Sequence, residues 1–105
     1  MPIVSSKYVA KKSDGILVML NITIGSPEPD PESNGADFRC KVEIPELSFN
    51  EYSYGIDAVQ SLCLVVQCLN SVLGPLVVAG WKFYSPHDLE HELDLLSALF
   101  PTFKD

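Results

Sequence analysis

The stretch His87-Asp88-Leu89-Glu90-His91 places two histidines four residues apart. On a helix that spacing aims two imidazoles the same way, and the order matches the His-x-x-Glu-His pattern of inverted zinc peptidases. Its setting argues against a metal. Leu89, Leu93, Leu96, Leu99 and Phe100 form an apolar helical stripe, which leaves His87 and His91 on the solvent face. Only fourteen residues follow His91, which leaves little chain for a third ligand and a substrate groove. Asp94 shares the histidine face, but three ligands from one straight helix make a poor tetrahedral set. The sequence therefore predicts a polar helix face with acids near its N-terminus, where they favour the helix dipole.

Cys40, Cys63 and Cys68 are the other reactive side chains. Cys63 and Cys68 lie about 140° apart around one predicted helix, which points them away from each other and disfavours a mutual disulfide. No Cys-x-x-Cys spacing occurs. Cys40 and Cys63 fall on predicted core faces, and Cys68 has no base placed beside it, so all three read as small buried apolar residues. Gly-x-Ser-x-Gly, the P-loop and Gly-x-Gly-x-x-Gly are missing from the sequence. The chemistry-bearing residues thus predict a binding protein, with no enzyme activity, no cofactor and no metal.

The elements that position these residues follow from periodicity. Residues 3–10 predict a modest edge strand, and Lys11 to Gly15 a turn. Residues 15–25 predict the clearest strand, with Ile16, Val18, Leu20, Ile22 and Ile24 on one face and Leu17, Met19, Asn21 and Thr23 on the other. Residues 36–44 alternate again, Phe38, Cys40, Val42 and Ile44 against Asp37, Arg39, Lys41 and Glu43. One sheet face is therefore covered and the other wet, as in antiparallel sheets. Between these strands Glu28, Asp30 and Glu32 alternate with prolines in an extended connection, too stiff for a calcium loop.

Residues 53–75 contain a single charged side chain, Asp57. Asp57 and Gln60 have capping-box spacing, and Gly55 permits a sharp turn before them. A helix is predicted from about 57 to 73, ending at Gly74-Pro75. Val59, Leu62, Cys63, Val66, Leu69 and Leu73 form its core face, opposite Gln60, Leu64, Gln67, Cys68 and Ser71. A membrane span needs about 20 apolar residues. Here two glutamines, an asparagine and two serines interrupt the run, and a core helix or one partly covered by a partner fits better. Residues 76–84 predict a fourth strand. Ser85 as N-cap, Pro86 at the first helical position and Asp88 at the third predict a second helix.

The chain has 105 residues, which predicts one domain over 1–105. An apolar fraction of 47% excludes disorder of the whole chain. Seven basic and fourteen acidic residues leave a net charge of -7, which disfavours nucleic acid and anionic membranes and suits a basic partner. Met1 to Tyr8 shows no basic segment followed by an apolar one, and the cysteines read as reduced, so a cytoplasmic location is predicted.

Tyr54-Gly55-Ile56-Asp57-Ala58-Val59-Gln60-Ser61-Leu62 resembles the helix-opening signature of a group of small bacterial domains, approximately Tyr-Gly-(Val/Ile)-Asp-Ala-(Leu/Val)-Gln-Ala-Leu. Some of those domains resemble immunity proteins, which protect a bacterium from its own or a sibling's toxin. After Gly74 the chain departs from that pattern. The resemblance implies strands before the helix and a protein partner.

The fold predicted is α+β: an antiparallel sheet of about four strands with two helices packed on one face, in the order β-β-β-α-β-α. The function predicted is a cytosolic, acidic protein-binding domain, specifically an immunity-type inhibitor that neutralises a bacterial toxin by occlusion. The alternative is a structural or homo-oligomerisation module, a homodimer formed through the chargeless helix face. The partner-contact candidates are Glu28, Asp30, Glu32, Tyr52, Tyr54, Asp88, Glu90, Glu92 and Asp94. Acidic groups would steer a basic partner, and the aromatic side chains would hold it.

Overall fold

A computed structural model describes residues 2–33 and 37–99. They form a seven-stranded antiparallel sheet with one long helix laid across it. The strands are β1 (Pro2–Lys11), β2 (Leu17–Gly25), β3 (Glu28–Pro29), β4 (Phe38–Ile44), β5 (Phe49–Gly55), β6 (Lys82–Ser85) and β7 (Asp88–Leu93). The long helix is α1 (Ala58–Val78), and a short α2 (Leu95–Leu99) follows β7. β4 pairs with β5 on one side, and with β2 and the short β3 on the other. The sheet therefore runs β5, β4, β2 with β3, β1, β6, β7. Its thinnest dimension is 23 Å, room for one sheet and one helical layer, so the second sheet face is open.

The alternations hold over 20–24 and 40–44, while Ile16, expected on the covered face, lies before β2 and is exposed. Leu20, Ile22 and Ile24 from β2 and Cys40, Val42 and Ile44 from β4 are buried beneath α1. Removing such side chains from water stabilises the fold by about 1.5–3 kcal/mol each. β1, expected at an edge, lies between β2 and β6. β6 reaches only its last three residues, pairing Val9, Ala10 and Lys11 with Tyr84, Phe83 and Lys82.

The four-strand, two-helix arrangement is not what forms. Residues 49–55 make β5, which runs back along the whole of β4. The expected strand over 76–84 starts at Lys82, because α1 continues through Gly74 and Pro75 to Val78. Its true stop is a Schellman motif. Gly80 (φ 96°) donates to Val77 O at 3.0 Å and Trp81 to Leu76 O at 3.0 Å. Pro75 costs the helix one hydrogen bond, and sheet packing of Leu69, Leu73 and Leu76 outweighs it.

The expected second helix is the strand β7. Ser85 does not cap a helix; its Oγ accepts the His87 N–H at 3.3 Å in a turn. Asp88 Oδ1 likewise accepts from Glu90 and His91. The chain then pairs Ser85 with Asp88 and Phe83 with Leu93, with a register shift between. Leu89 is exposed, Leu93 half-buried and Leu95 buried, so no leucine stripe exists over 89–96. Phe100 lies outside the described residues, as do the structure and contacts of Leu99's side chain.

α1 is also rotated from its expected orientation. Ser61, Val65, Leu69 and Leu73 are its buried ridge, flanked by Leu62, Cys68, Val72 and Leu76. Val59 is 72% exposed, and Cys63 and Val66 are exposed too. The reason is close approach at the helix start. A Cβ on Gly55 would meet the Ser61 nitrogen at 2.7 Å, so only glycine lets the first turn sit against β5. Ser61 can be buried there because its Oγ donates to Ala58 O at 2.9 Å.

Candidate functional site

The sheet order divides the expected partner-contact residues between two places. Glu28, Asp30, Glu32, Tyr52 and Tyr54 lie at the β3–β4–β5 end, and Asp88, Glu90, Glu92 and Asp94 lie along and just after β7. Five strand spacings separate β5 from β7, about 24 Å at the usual 4.8 Å each.

At the first place the acids are mostly committed to their own loop. Arg39 Nε lies 2.6 Å from Glu28 Oε1, and this contact holds the guanidinium proton more tightly than usual. Asp30 Oδ1 accepts from Glu32 N–H, while Asp30 O accepts the Ser33 hydroxyl at 3.0 Å. Arg39 stacks 4.4 Å from the Tyr52 ring centroid, and Lys41 approaches the same ring at 5.8 Å. Lys41 is in turn paired with Glu43 at 2.9 Å, which raises its pKa. Tyr54, 53% exposed, is the free aromatic here, 6.3 Å from Tyr52.

At the second place two of the four acids are uncommitted. Glu90 and Glu92 are exposed and form no ion pair with any described residue. Asp88 lies 3.0 Å from His91 Nδ1, and Asp94 Oδ1 accepts from Ser97 N–H at the start of α2. Glu92 and Asp94 also rim a groove of about 270 Å³, with Val77, Trp81, Phe83 and Leu95 among its walls. A groove of mixed polar and apolar lining, with two carboxylates at its rim and Trp81 in its wall, suits a long basic side chain, which lays its stem along the ring and keeps its charge at the rim. Trp81 enters through the Schellman turn after α1, and Leu95 through the turn after β7. Neither is among the expected partner-contact residues, although Gly80 before Trp81 carried the helix-stop signal.

His87 and His91 sit on a turn and an edge strand, both exposed. Among the described residues no group of three His, Cys, Asp or Glu side chains converges on a metal position. Cys40 is buried, with its thiol 3.2 Å from Gly25 O and its pKa raised by burial. Cys68 is half-buried, and burial followed by the charge of Glu51 raises its pKa. Cys63, expected in the core, is exposed.

The outer face of α1 is a third surface. The helix has no charged residue and leaves Val59, Cys63, Val66, Val77 and Val78 exposed. By length and composition it could cross a membrane, with a mean hydropathy of 1.9. The same properties belong to core helices, and its inner ridge packs on the sheet. No family model matches the chain, and no curated protein or solved structure matches it.

Proposed function

We propose that this chain is a protein-binding domain, an immunity-type inhibitor that occludes a basic surface of a bacterial toxin. The observation that carries the reading is the acidic edge formed by Asp88, Glu90, Glu92 and Asp94, joined to the groove beside Trp81. Carboxylates along one edge speed the encounter with a basic partner, and the groove supplies an anchor that slows release. The Tyr54-to-Leu62 resemblance supplies the immunity part of the proposal.

The test is a tagged pull-down from the native host at low and moderate salt. The wild type should retain a basic protein more strongly at low salt. The triple variant Asp88→Lys, Glu90→Lys, Glu92→Lys should lose it while keeping the same circular dichroism. Equal capture by both would sink the acidic-edge account.

A second reading rests on the outer face of α1, where only 22% of the most apolar 18-residue window is buried. Two copies meeting there would form a homodimer. In that case light scattering would show a dimer that Val66→Glu splits without unfolding.

A further inference from the structure

We infer that the free edge of β1 takes an extended acidic segment of a partner protein as an added strand. β1 pairs with β2 along its length, but β6 covers only Val9, Ala10 and Lys11. Residues 4–8 therefore have a neighbour strand on one side alone among the described residues. Alternate backbone N–H and C=O groups along that stretch point outward with no strand to receive them.

Two other stretches of sheet edge are defended, although the outer side of β5 is a second one-sided edge among the described residues. Beyond its contact with β4, β2 has its Asn21 N–H taken by Glu46 Oε1 at 2.6 Å and its Asn21 side chain by Glu46 Oε2 at 3.0 Å. β7 carries three acids and a register shift, devices that discourage strand addition. Residues 4–8 carry no acid, and the register shift at Pro2/Val4 bounds the stretch at its N-terminal end. Val4 is exposed, Ser5 and Ser6 are small, and Lys7 is the single charge. A cavity of about 530 Å³ lined by Ser6, Lys7, Tyr8, Ser85, Pro86 and His87 continues the edge to the β6–β7 turn.

Charge selects the occupant. By strand alternation and register Lys7, Lys11 and Lys82 share the open sheet face, and none forms an ion pair with a described residue. The whole chain carries -7, so this is a cationic patch on an anionic molecule, and an acidic segment is repelled from the β7 edge and drawn here. A single nucleic-acid strand fits less well. Base stacking needs accessible aromatic faces, and the tyrosines beside these lysines, Tyr8 and Tyr84, are half-buried, while the exposed Tyr54 lies at the far end of the sheet. Backbone bonds would then supply affinity, and alternate side chains beside Lys7 the selection.

The probe is a fluorescent octapeptide alternating glutamate with valine, titrated into the full chain. It should bind, and more weakly as salt rises. N-methylation of one alternate set of its amides should weaken binding at least about tenfold, and of the other set only slightly, because an edge strand offers one side to its neighbour. Lys7→Glu should weaken binding about tenfold, while the equally charge-changing pair Gln67→Glu and Asn70→Asp on α1 should change it little. Strand addition is overturned if the peptide does not bind at millimolar concentration, or if both N-methylated peptides bind alike. Oligo-dT of equal charge binding as tightly would assign the patch to nucleic acid instead. A β1-to-β1 dimer that the peptide cannot displace would assign the edge to a second copy.

Discussion

At the scale of single residues, Gly55 shows how a local contact orients the molecule. Its role is close approach rather than unusual backbone freedom, since a side chain there meets the Ser61 nitrogen at 2.7 Å. Gly55→Ala should cost about 1–3 kcal/mol in a urea titration, the usual range for overpacking. That helix orientation leaves Cys63 outward, while strand alternation on β4 turns Cys40 inward. In the native protein iodoacetamide should modify Cys63 first and Cys40 last, read by mass spectrometry. Rapid labelling of Cys40 would contradict the packing. Glu46 carries a pH prediction. The Asn21 N–H and side-chain amide stabilise its carboxylate, which lowers its pKa below the usual 4.5. A depressed pKa adds stability above the ordinary glutamate range, and that stability disappears as pH falls through the depressed value. Glu46 is exposed, so Glu46→Gln should cost at most about 1 kcal/mol at pH 7. The difference should vanish in acid, as followed by thermal melts at stepped pH.

At the scale of elements, the sequence was most legible where side chains alternate against a single core. The faces of β2 and β4 could be read directly from Leu20, Ile22 and Ile24 and from Cys40, Val42 and Ile44. The start of α1 was legible for a local reason. Asp57 Oδ1 accepts from Gln60 N–H at 2.8 Å, and Gln60 Oε1 accepts from Ile56 N–H at 2.7 Å. The end of α1 was not, because Gly74-Pro75 gives a strong local stop signal that tertiary packing overrides. β7 was hidden for a related reason. Asp88-Leu89-Glu90-His91-Glu92-Leu93 has poor strand propensity, and Leu89 and Leu93 have helical spacing, yet pairing with β6 makes it an edge strand. The acidic residues of the candidate site were therefore legible as types, but the helix assigned to them was not the element that carries them. Pro75→Ala checks the continuous helix. Restoring an N–H donor and removing the ring inside a helix should stabilise by about 1–3 kcal/mol in a urea titration. A helix stopping at Gly74 would gain nothing.

At the scale of the whole molecule, two layers leave several surfaces uncovered, and their characters differ. The β7 edge is acidic, the outer face of α1 chargeless, and the open sheet face holds Lys7, Lys11 and Lys82. Such a molecule orients charged partners before contact, so the proposed inhibitor association should slow as salt rises. Stopped-flow mixing at two ionic strengths would check this, and a salt-independent rate would remove steering from the account. The most direct test of the central claim is growth. The basic protein captured through the β7 edge is expressed alone, with the wild-type chain, and with the Asp88→Lys, Glu90→Lys, Glu92→Lys variant. The account predicts that the partner alone arrests growth, that the wild type restores it, and that the variant does not. A harmless partner, or equal rescue by the folded variant, would contradict inhibition through this edge.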